Sequence, residues 1–518
     1  MEKSPQTIEF LLNNKRTELS NIDPSTTLLS YLRALVDKKG TKEGCASGDC
    51  GACTVVLAEP DGAGLKYLSI NSCITLLPAV NGKQVITIEA LKDEGILHPT
   101  QQAMVDNHGS QCGFCTPGFV MSLFALGKQF ALGNSTAPVS NRMDNLDTIK
   151  QHEEILTALS GNLCRCTGYR SIVDAAEQYL SEELASSDQF DLQESETLQV
   201  LNNIRECHIE RNAKERSSLL PHLMPTAIDQ LADQLMAHPE AVLLSGGTDL
   251  GLQVTQNLQQ LSPIIYLGLV AELKEVKISE TTLSIGAAVT YTACFEAISH
   301  EYPAWGEMIL RLGSLQVRNL GTLGGNIGNA SPIGDMPPVL IALDSEITLR
   351  QGSTERQISV EDYFVDYKVT SQKKSEFIVS IHIPKALPDL YLKIYKISKR
   401  FDDDISAVLA VFNLKIEKDK VVNVSVVFGG MAAIPKRAVF CEAALFGQPW
   451  TQETIEAAKA ALAKDYQPLT DMRASADYRM TVAQNLLQKC FLEISQPELK
   501  LHVLSEERPS GEGVHKIA

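Results

Sequence analysis

Residues 44–53 read Gly-Cys-Ala-Ser-Gly-Asp-Cys-Gly-Ala-Cys, which puts three thiols in one glycine-rich loop. Cys45, Cys50 and Cys53 stand at x4 and x2 spacing, and Cys73 follows after nineteen residues. That is the plant-type ligand pattern for a 2Fe-2S cluster. Two ferric ions, two sulfides and four thiolates sum to a dianion, which tolerates partial burial only where backbone N-H groups point at its sulfurs. Gly44, Gly48 and Gly51 let the main chain come close enough. A structural zinc site usually pairs its cysteines as two short knuckles, and the x4 gap fits that poorly. A disulfide is disfavoured by the reducing compartment inferred below.

A second set begins at Cys112-Gly-Phe-Cys115-Thr-Pro-Gly and closes at Cys164-Arg-Cys166-Thr-Gly-Tyr. A thioredoxin-like dithiol would account for Cys112 and Cys115 but leaves Cys164 and Cys166 unexplained. A second 2Fe-2S cluster uses all four, with Gly113, Gly161 and Gly168 again freeing backbone donors. The remaining cysteines, Cys207, Cys294, Cys441 and Cys490, are isolated and read as small apolar fillers.

Two Gly-Gly stretches carry a different chemistry. Ala241-Val-Leu-Leu-Ser runs into Gly246-Gly-Thr-Asp249, a buried strand ending in a turn whose amides no side chain shields. Such a turn can wrap a phosphate. Gln316-Val-Arg-Asn-Leu-Gly-Thr-Leu-Gly-Gly-Asn326 is read as a second loop of that character, so that together they could clamp the two phosphates of a dinucleotide. Neither is the GxGxxG of a doubly wound nucleotide fold.

The elements that must position these loops follow from periodicity. Thr7 to Leu12 and Lys15 to Leu19 read as a hairpin turning at Asn13-Asn14. A helix from Thr27 to Lys38 places Leu28, Leu32 and Leu35 on one face. Thr54 to Ala58 and Val85 to Ile88 read as strands, giving a small mixed sheet with the first cysteine loop at its edge. Pro117 marks a helix start whose apolar face carries Phe119, Val120, Leu123 and Phe124. Ile155 to Leu159 and Ile172 to Leu180 continue a helical unit, with a polar surface loop or insertion over 127–151. Residues 185–215 are polar and poorly periodic, an interdomain linker. Strand 420–428 and helices over 451–463 and 479–491 suggest a further mixed unit, and the tail from Glu498 reads as loose.

A chain of 518 residues holds roughly three to four domains. The net charge of −17 argues against nucleic acid or an anionic membrane as partner. No basic, apolar leader opens the chain and no stretch approaches a membrane span, which implies the cytoplasm. Eight of twelve cysteines crowd into the first 166 residues, a distribution unlike a disulfide scaffold.

With the cysteine motifs, Gly-Asn-Leu-Cys-Arg-Cys-Thr-Gly-Tyr-Arg and the two Gly-Gly stretches in this order, the chain resembles the small subunits of bacterial xanthine dehydrogenases, within the molybdenum hydroxylase family. The resemblance spans about residues 7 to 492. It implies an α+β multidomain fold: a β-grasp ferredoxin domain (1–92), a helical bundle with the second cluster (93–184), the linker (185–215), an FAD domain of the vanillyl-alcohol-oxidase type (216–400), a C-terminal α+β lobe (401–495) and a tail (496–518). It implies cluster ligands Cys45, Cys50, Cys53, Cys73, Cys112, Cys115, Cys164 and Cys166. Val242, Leu243, Leu244, Ser245, Gly246, Gly247, Thr248 and Asp249 would lie along the FAD pyrophosphate, with Thr322, Leu323, Gly324, Gly325 and Asn326 as second phosphate loop and Asp335 as a further FAD contact. Ile378 and Lys396 match positions near the flavin ring. Phe401-Asp-Asp-Asp-Ile405 resembles the acidic loop that goes with NAD use, making Asp402 and Asp403 candidates on the NAD side. For Lys396 and these aspartates a solvated charged face is the alternative.

Two departures from the family stand out. The gap between Cys115 and Cys164 is longer than usual, and Leu312 occupies a position that often carries an aromatic side chain against the flavin ring. The resemblance further implies a molybdopterin-binding large subunit as partner, in an assembly of two copies of each. Substrate would be oxidised there, and electrons would cross two 2Fe-2S clusters to FAD and leave on NAD. The alternative is a molybdenum hydroxylase for aldehydes or N-heterocycles with a non-NAD acceptor.

Overall fold

The computed structural model describes residues 7–131, 148–182, 188–214, 222–387, 389–499 and 501. Strands β1 (Ile8–Leu12), β2 (Lys15–Leu19), β3 (Thr54–Asp61), β4 (Gly64–Asn71) and β5 (Gln84–Ile86) form one sheet in the order β2-β1-β5-β3-β4. It is mixed because β1 runs parallel to β5 and antiparallel to β2. The first hairpin turns at Asn13, whose φ of 57° is the left-handed conformation asparagine tolerates. Strand β3 runs past the expected Ala58 into a hairpin with β4, which sequence reading missed. From Tyr67 to Asn71 β4 is buried at every position, so it lacks the alternation of a one-faced strand.

The helix expected over Thr27 to Lys38 is shorter and changes pitch. Leu28–Ser30 is α-helical, with Thr27 capping Ser30 N-H, and Tyr31–Leu35 is a π turn. The wider turn rotates Leu35 to 62% exposure, whereas Leu28 and Leu32 are fully buried.

Helices Pro99–Asp106, Thr116–Ala131, Thr148–Leu159 and Arg170–Glu182 build the second unit. Phe119, Val120, Leu123 and Phe124 are buried against Ile155, Ile172 and Ala176. Each buried apolar side chain of this size contributes about 1.5–3 kcal/mol. Of the expected polar insertion, 127–131 and 148–151 are helical, and 132–147 lies outside the described residues.

Within the linker expected over 185–215, the described residues 188–214 are not structureless. Asp188 caps a short helix, Gln189–Leu192, and a 21-residue helix follows, Glu194–Lys214. Its apolar stripe is narrow, with Leu201 and Ile204 as fully buried members, so periodicity gave little signal. Polar anchors hold it instead. Glu194 Oε1 accepts from Leu65 N-H at 2.9 Å, Arg205 Nε donates to Gly82 O at 3.1 Å, and Arg211 Nη2 meets the buried Glu9 carboxylate at 3.0 Å. At its far end Asn212 Nδ2 donates to Met224 O at 2.7 Å.

The third unit opens with three parallel strands, β6 (His222–Leu223), β7 (Val242–Leu244) and β8 (Ile264–Tyr266), ordered β6-β8-β7. Strands β9 (Val276–Ile278), β10 (Thr282–Gly286), β11 (Glu346–Gln351) and β12 (Thr354–Ser359) share a sheet with a later one. A small hairpin, β13 (Phe364–Asp366) and β14 (Val369–Thr370), precedes that strand, β15 (Phe377–Pro384), and the sheet order is β12-β11-β15-β10-β9. The Gln316–Asn326 stretch, expected as a loop, contains two short helices, Leu315–Arg318 and Leu323–Gly328. The last unit is an antiparallel sheet, β16 (Leu390–Ile397), β17 (Val408–Glu417), β18 (Lys420–Gly429) and β19 (Lys436–Arg437), covered by helices Val439–Leu445, Gln452–Asp465 and Ala476–Ser495. Most of the tail read as loose lies outside the described residues. No helix among the described residues is long and apolar enough to cross a membrane.

Candidate functional site

The first four cysteines converge where β3 begins and β4 ends. Cys53 Sγ lies 3.3 Å from Cys73 Sγ, and Cys45 N-H points at Cys50 Sγ over 3.4 Å. The N-H groups of Ser47 and Asp49 aim at Cys45 Sγ over 3.4 and 3.3 Å. Left-handed backbone at Ala46, Gly48 and Gly51 turns these donors inward. A Cβ on Gly44 would stand 2.7 Å from Cys50 Sγ, so the chain packs directly on sulfur there. Hydrogen bonds from Cys50 and Cys73 hold the Cys45 thiol far below its ordinary range, while proximity to Cys45 pushes both partners up. Four thiols crowded so closely resist losing more than the first protons, which is the electrostatics of a set built for cations.

In the second set, Cys115 contacts Cys164, and Cys112 contacts Cys166. Burial, helped by Cys164, pushes the Cys115 thiol up to about 12. Burial opposes ionisation of Cys164 too, yet Thr167 carries its thiol below the usual value, donating to Sγ from Oγ1 at 3.1 Å and from N-H at 3.4 Å. Cys112 and Cys166 are exposed. Among the described residues no three His, Cys, Asp or Glu side chains form a single-ion site. The sulfurs stand chiefly in pairs, as a two-iron centre takes them, two thiolates to each iron. The donor set therefore fits two 2Fe-2S clusters.

A cavity of about 480 Å³ lies between the turn after β7 and the helix Leu323–Gly328. Leu243, Ser245, Gly246, Gly247, Thr248 and Asp249 line one side, and Thr322, Gly324, Gly325 and Asn326 the other, with Ile378 closing it. A Cβ on Gly246 would sit 1.9 Å from Leu320 O, so the two walls touch backbone to backbone there. The amides of Gly246, Gly247, Thr248 and Asp249 donate to no acceptor among the described residues, which leaves a nest for an anion. Buried Asn326 Oδ1 likewise has no hydrogen-bond partner among them. These features fit the pyrophosphate and sugar part of a dinucleotide.

The expected second phosphate loop differs in kind. Leu323, Gly324 and Asn326 N-H donate to Val289, Ala287 and Thr322 carbonyls, and Gly325 N-H donates to Thr322 Oγ1. Being the first turn of a capped helix, it offers a wall and the Asn326 side chain, not free amides. Val242 is half-buried in its strand, and Leu244 and Leu323 are core residues behind the cavity. Leu312 packs against the core of the third unit and does not line the cavity. Sequence reading missed Tyr291, Lys368, Gln372 and Phe377, which line it from other elements. The Tyr367-Lys368 turn between β13 and β14 had been the available signal.

Lys396 is no solvated charge. Its Nζ lies 2.5 Å from Asp335 Oδ2, and both are buried, with Ser406 Oγ 2.5 Å from Asp335 Oδ1. In the acidic loop Asp402 is exposed, while Asp403 is half-buried. Burial, then the neighbouring Asp49 of the first cysteine loop, pushes the Asp403 carboxyl up to about 6. The helix Leu250–Thr255, which leaves the Gly246–Asp249 turn, rests on that same cysteine loop. Leu252 packs with Cys53, Cys73 and Ile74, and Gln256 Nε2 donates to Ala46 O at 3.0 Å.

Four sequence families match the chain in order. They are the 2Fe-2S iron-sulfur cluster binding domain over residues 10–77, the [2Fe-2S] binding domain over 87–177, the FAD binding domain in molybdopterin dehydrogenase over 217–386, and the CO dehydrogenase flavoprotein C-terminal domain over 393–494. Among curated relatives, xanthine dehydrogenase of Emericella nidulans is 32% identical over 95% of this chain, and that of Drosophila subobscura 31% over 95%. The chain spans 39% and 40% of the lengths of these relatives. Among solved structures, carbon monoxide dehydrogenase from Hydrogenophaga pseudoflava matches at TM-score 0.50 and 22% identity, over 53% of this chain and 96% of that one. Quinoline 2-oxidoreductase from Pseudomonas putida 86 matches at 0.50 and 22%, over 55% and 99%. At this identity these two matches show a shared fold over about half of the chain.

Proposed function

Because the chain belongs to the molybdenum hydroxylase family and carries its iron-sulfur and flavin domains, we propose that it is the electron-transfer subunit of a xanthine dehydrogenase, partitioned as given above but with β16 in the C-terminal lobe and residues 188–214 largely helical where a linker was expected. A molybdopterin-bearing large subunit, in an assembly with two copies of each chain, would oxidise the purine, and this chain would deliver the electrons to NAD in the cytoplasm. Bound 2Fe-2S centres supply one-electron exchange, and bound FAD links it to two-electron hydride chemistry.

The chain's own residues have defined parts in this reading. Ser47, Asp49 and Thr167 stabilise thiolate charge with N-H and O-H donors. Gly246 to Asp249 hold a pyrophosphate on free amides, and Asn326 takes a sugar hydroxyl. The Lys396–Asp335 pair keeps a positive charge buried between the third and fourth units. The acidic loop at Asp402 and Asp403 lies beside the first cysteine loop, where an acceptor would dock.

The observation that carries the reading is spatial order. The second cysteine set presents Cys112 and Cys166 to solvent, the first has Cys53 and Cys73 buried with Cys45 and Cys50 partly so, and the helix Leu250–Thr255 joins the first to the cavity. Rapid mixing of the reduced protein with NAD tests it: NAD must accelerate reoxidation of the flavin. A rate unaffected by NAD would favour the second reading, a hydroxylase for aldehydes or N-heterocycles with another acceptor. The match of residues 393–494 to a CO dehydrogenase flavoprotein domain supports only the broader part of that alternative, a molybdenum hydroxylase for a substrate other than xanthine.

A further inference from the structure

Four separate stretches meet at one buried polar junction. Gln316, on the helix Leu315–Arg318, is fully buried, and its Nε2 lies 3.0 Å from Asn162 Oδ1, 3.1 Å from Ser122 Oγ and 3.4 Å from Thr54 Oγ1. Asn162 Nδ2 in turn donates to Gly51 O at 3.0 Å, and Ser122 Oγ donates to Asn162 Oδ1 at 2.7 Å. Gly51 belongs to the first cysteine loop, Asn162 to the segment that ends in Cys164, and Gln316 to the third unit. Beside them Leu163 N-H donates to Cys50 O at 3.0 Å, so one backbone hydrogen bond joins the residue before Cys164 to a cysteine of the first set.

Glycines make the junction close-packed. A Cβ on Gly51 would stand 2.3 Å from Gly161 O, one on Gly118 2.3 Å from Gly51 O, and one on Gly161 2.3 Å from Gln316 Oε1. Gln316 Oε1 itself is buried with no hydrogen-bond partner among the described residues. A side chain held at that cost is one whose position matters more than its own satisfaction. No apolar residue of the same size could fix Asn162 and Ser122 at once.

We propose that Gln316 is a positioning residue: reaching across from the third unit, it sets the separation and mutual orientation of the two cysteine loops, and so the electronic coupling between the centres they hold. This rests on the reading that both sets bind 2Fe-2S clusters. The test is paramagnetic resonance of the dithionite-reduced full chain, isolated with its partner. In the natural protein each reduced centre should split or broaden the lines of the other at low temperature. Gln316→Leu, with iron, sulfide and flavin contents unchanged, should lose that mutual splitting while both individual signals persist. An unaltered splitting overturns the proposal, as does a natural protein with two signals and no splitting. Should Gln316→Leu fail to load, Ser122→Ala removes one bond of the same amide and is judged in the same way. Loss of a centre in both variants also overturns it, since the junction would then serve assembly. Fewer than two iron-sulfur signals in the natural protein would instead defeat the functional reading on which this rests.

Discussion

Lys396 on β16 and Asp335, at the start of the helix Met336–Ala342, form a buried ion pair that bolts the fourth unit to the third. Removing one partner strands the other charge in a dry site. Lys396→Ala should therefore destabilise the protein by about 3–5 kcal/mol, whereas Lys396→Met combined with Asp335→Leu should recover much of that loss. Urea unfolding followed by flavin fluorescence reads both. A single variant within about 1 kcal/mol of the natural protein would contradict the stated burial.

Cys53→Ser should halve the iron, from about four to about two atoms per chain, and abolish one of the two reduced-cluster signals. Cys166→Ser should abolish the other. Cys207→Ser, at a half-buried position of the Glu194–Lys214 helix, should leave both intact. Iron and sulfide assays beside the resonance spectrum separate these outcomes.

Gly246→Ala places a methyl group against Leu320 O, where a Cβ has 1.9 Å. Overpacking of this kind costs about 1–3 kcal/mol, and the turn must shift to relieve it. FAD retention should weaken by roughly ten- to a hundredfold, measured by flavin release on dilution. Gly325→Ala, whose Cβ would stand 2.7 Å from the Thr322 hydroxyl, should cost less, because its amide serves the helix cap and not the nest.

Asp403 titrates near 6, above the ordinary value of 3.8 for its type. Its folded form thus binds a proton more readily than the unfolded chain, and stability falls as pH rises from about 4 to about 6. Above that window the charged carboxylate costs about 1–2 kcal/mol, allowing for solvent screening at a half-buried site. Asp403→Asn should stabilise the protein at pH 8 and have little effect at pH 4. Thermal melts at the two values check the sign. Equal effects at both would exclude the titration as the cause.

The cysteine sets were legible because iron-sulfur ligation is written in local spacing, and the structure pairs the sulfurs the motifs named. Much of the cavity was legible for a similar reason: Gly246 must be glycine for the walls to meet, and Gly247 for its left-handed backbone. What escaped was written elsewhere. Strand β4 hid because both its faces are covered, so no alternation survives. The helix Glu194–Lys214 hid because charged side chains anchor it and only a narrow stripe is apolar. Leu35 was misplaced by a π turn, which no 3.6-residue template anticipates. Gln316 sat inside a motif singled out for its glycines, and its partners lie 154 and 194 residues away in the chain.

The helix Glu194–Lys214 has an implication for how the protein can be divided. Arg211, like Arg16, is a guanidinium partner of Glu9, a carboxylate enclosed in the first sheet, and Arg205 closes the Gly82 turn of that sheet. Cutting the gene after residue 184, where the iron-sulfur motifs end, would strip Arg211 from the buried Glu9 carboxylate and leave the turn at Gly82 without its Arg205 donor. The ferredoxin-like half thus borrows its closing brace from sequence beyond its own motifs, and a fragment meant to stand alone must extend to Lys214.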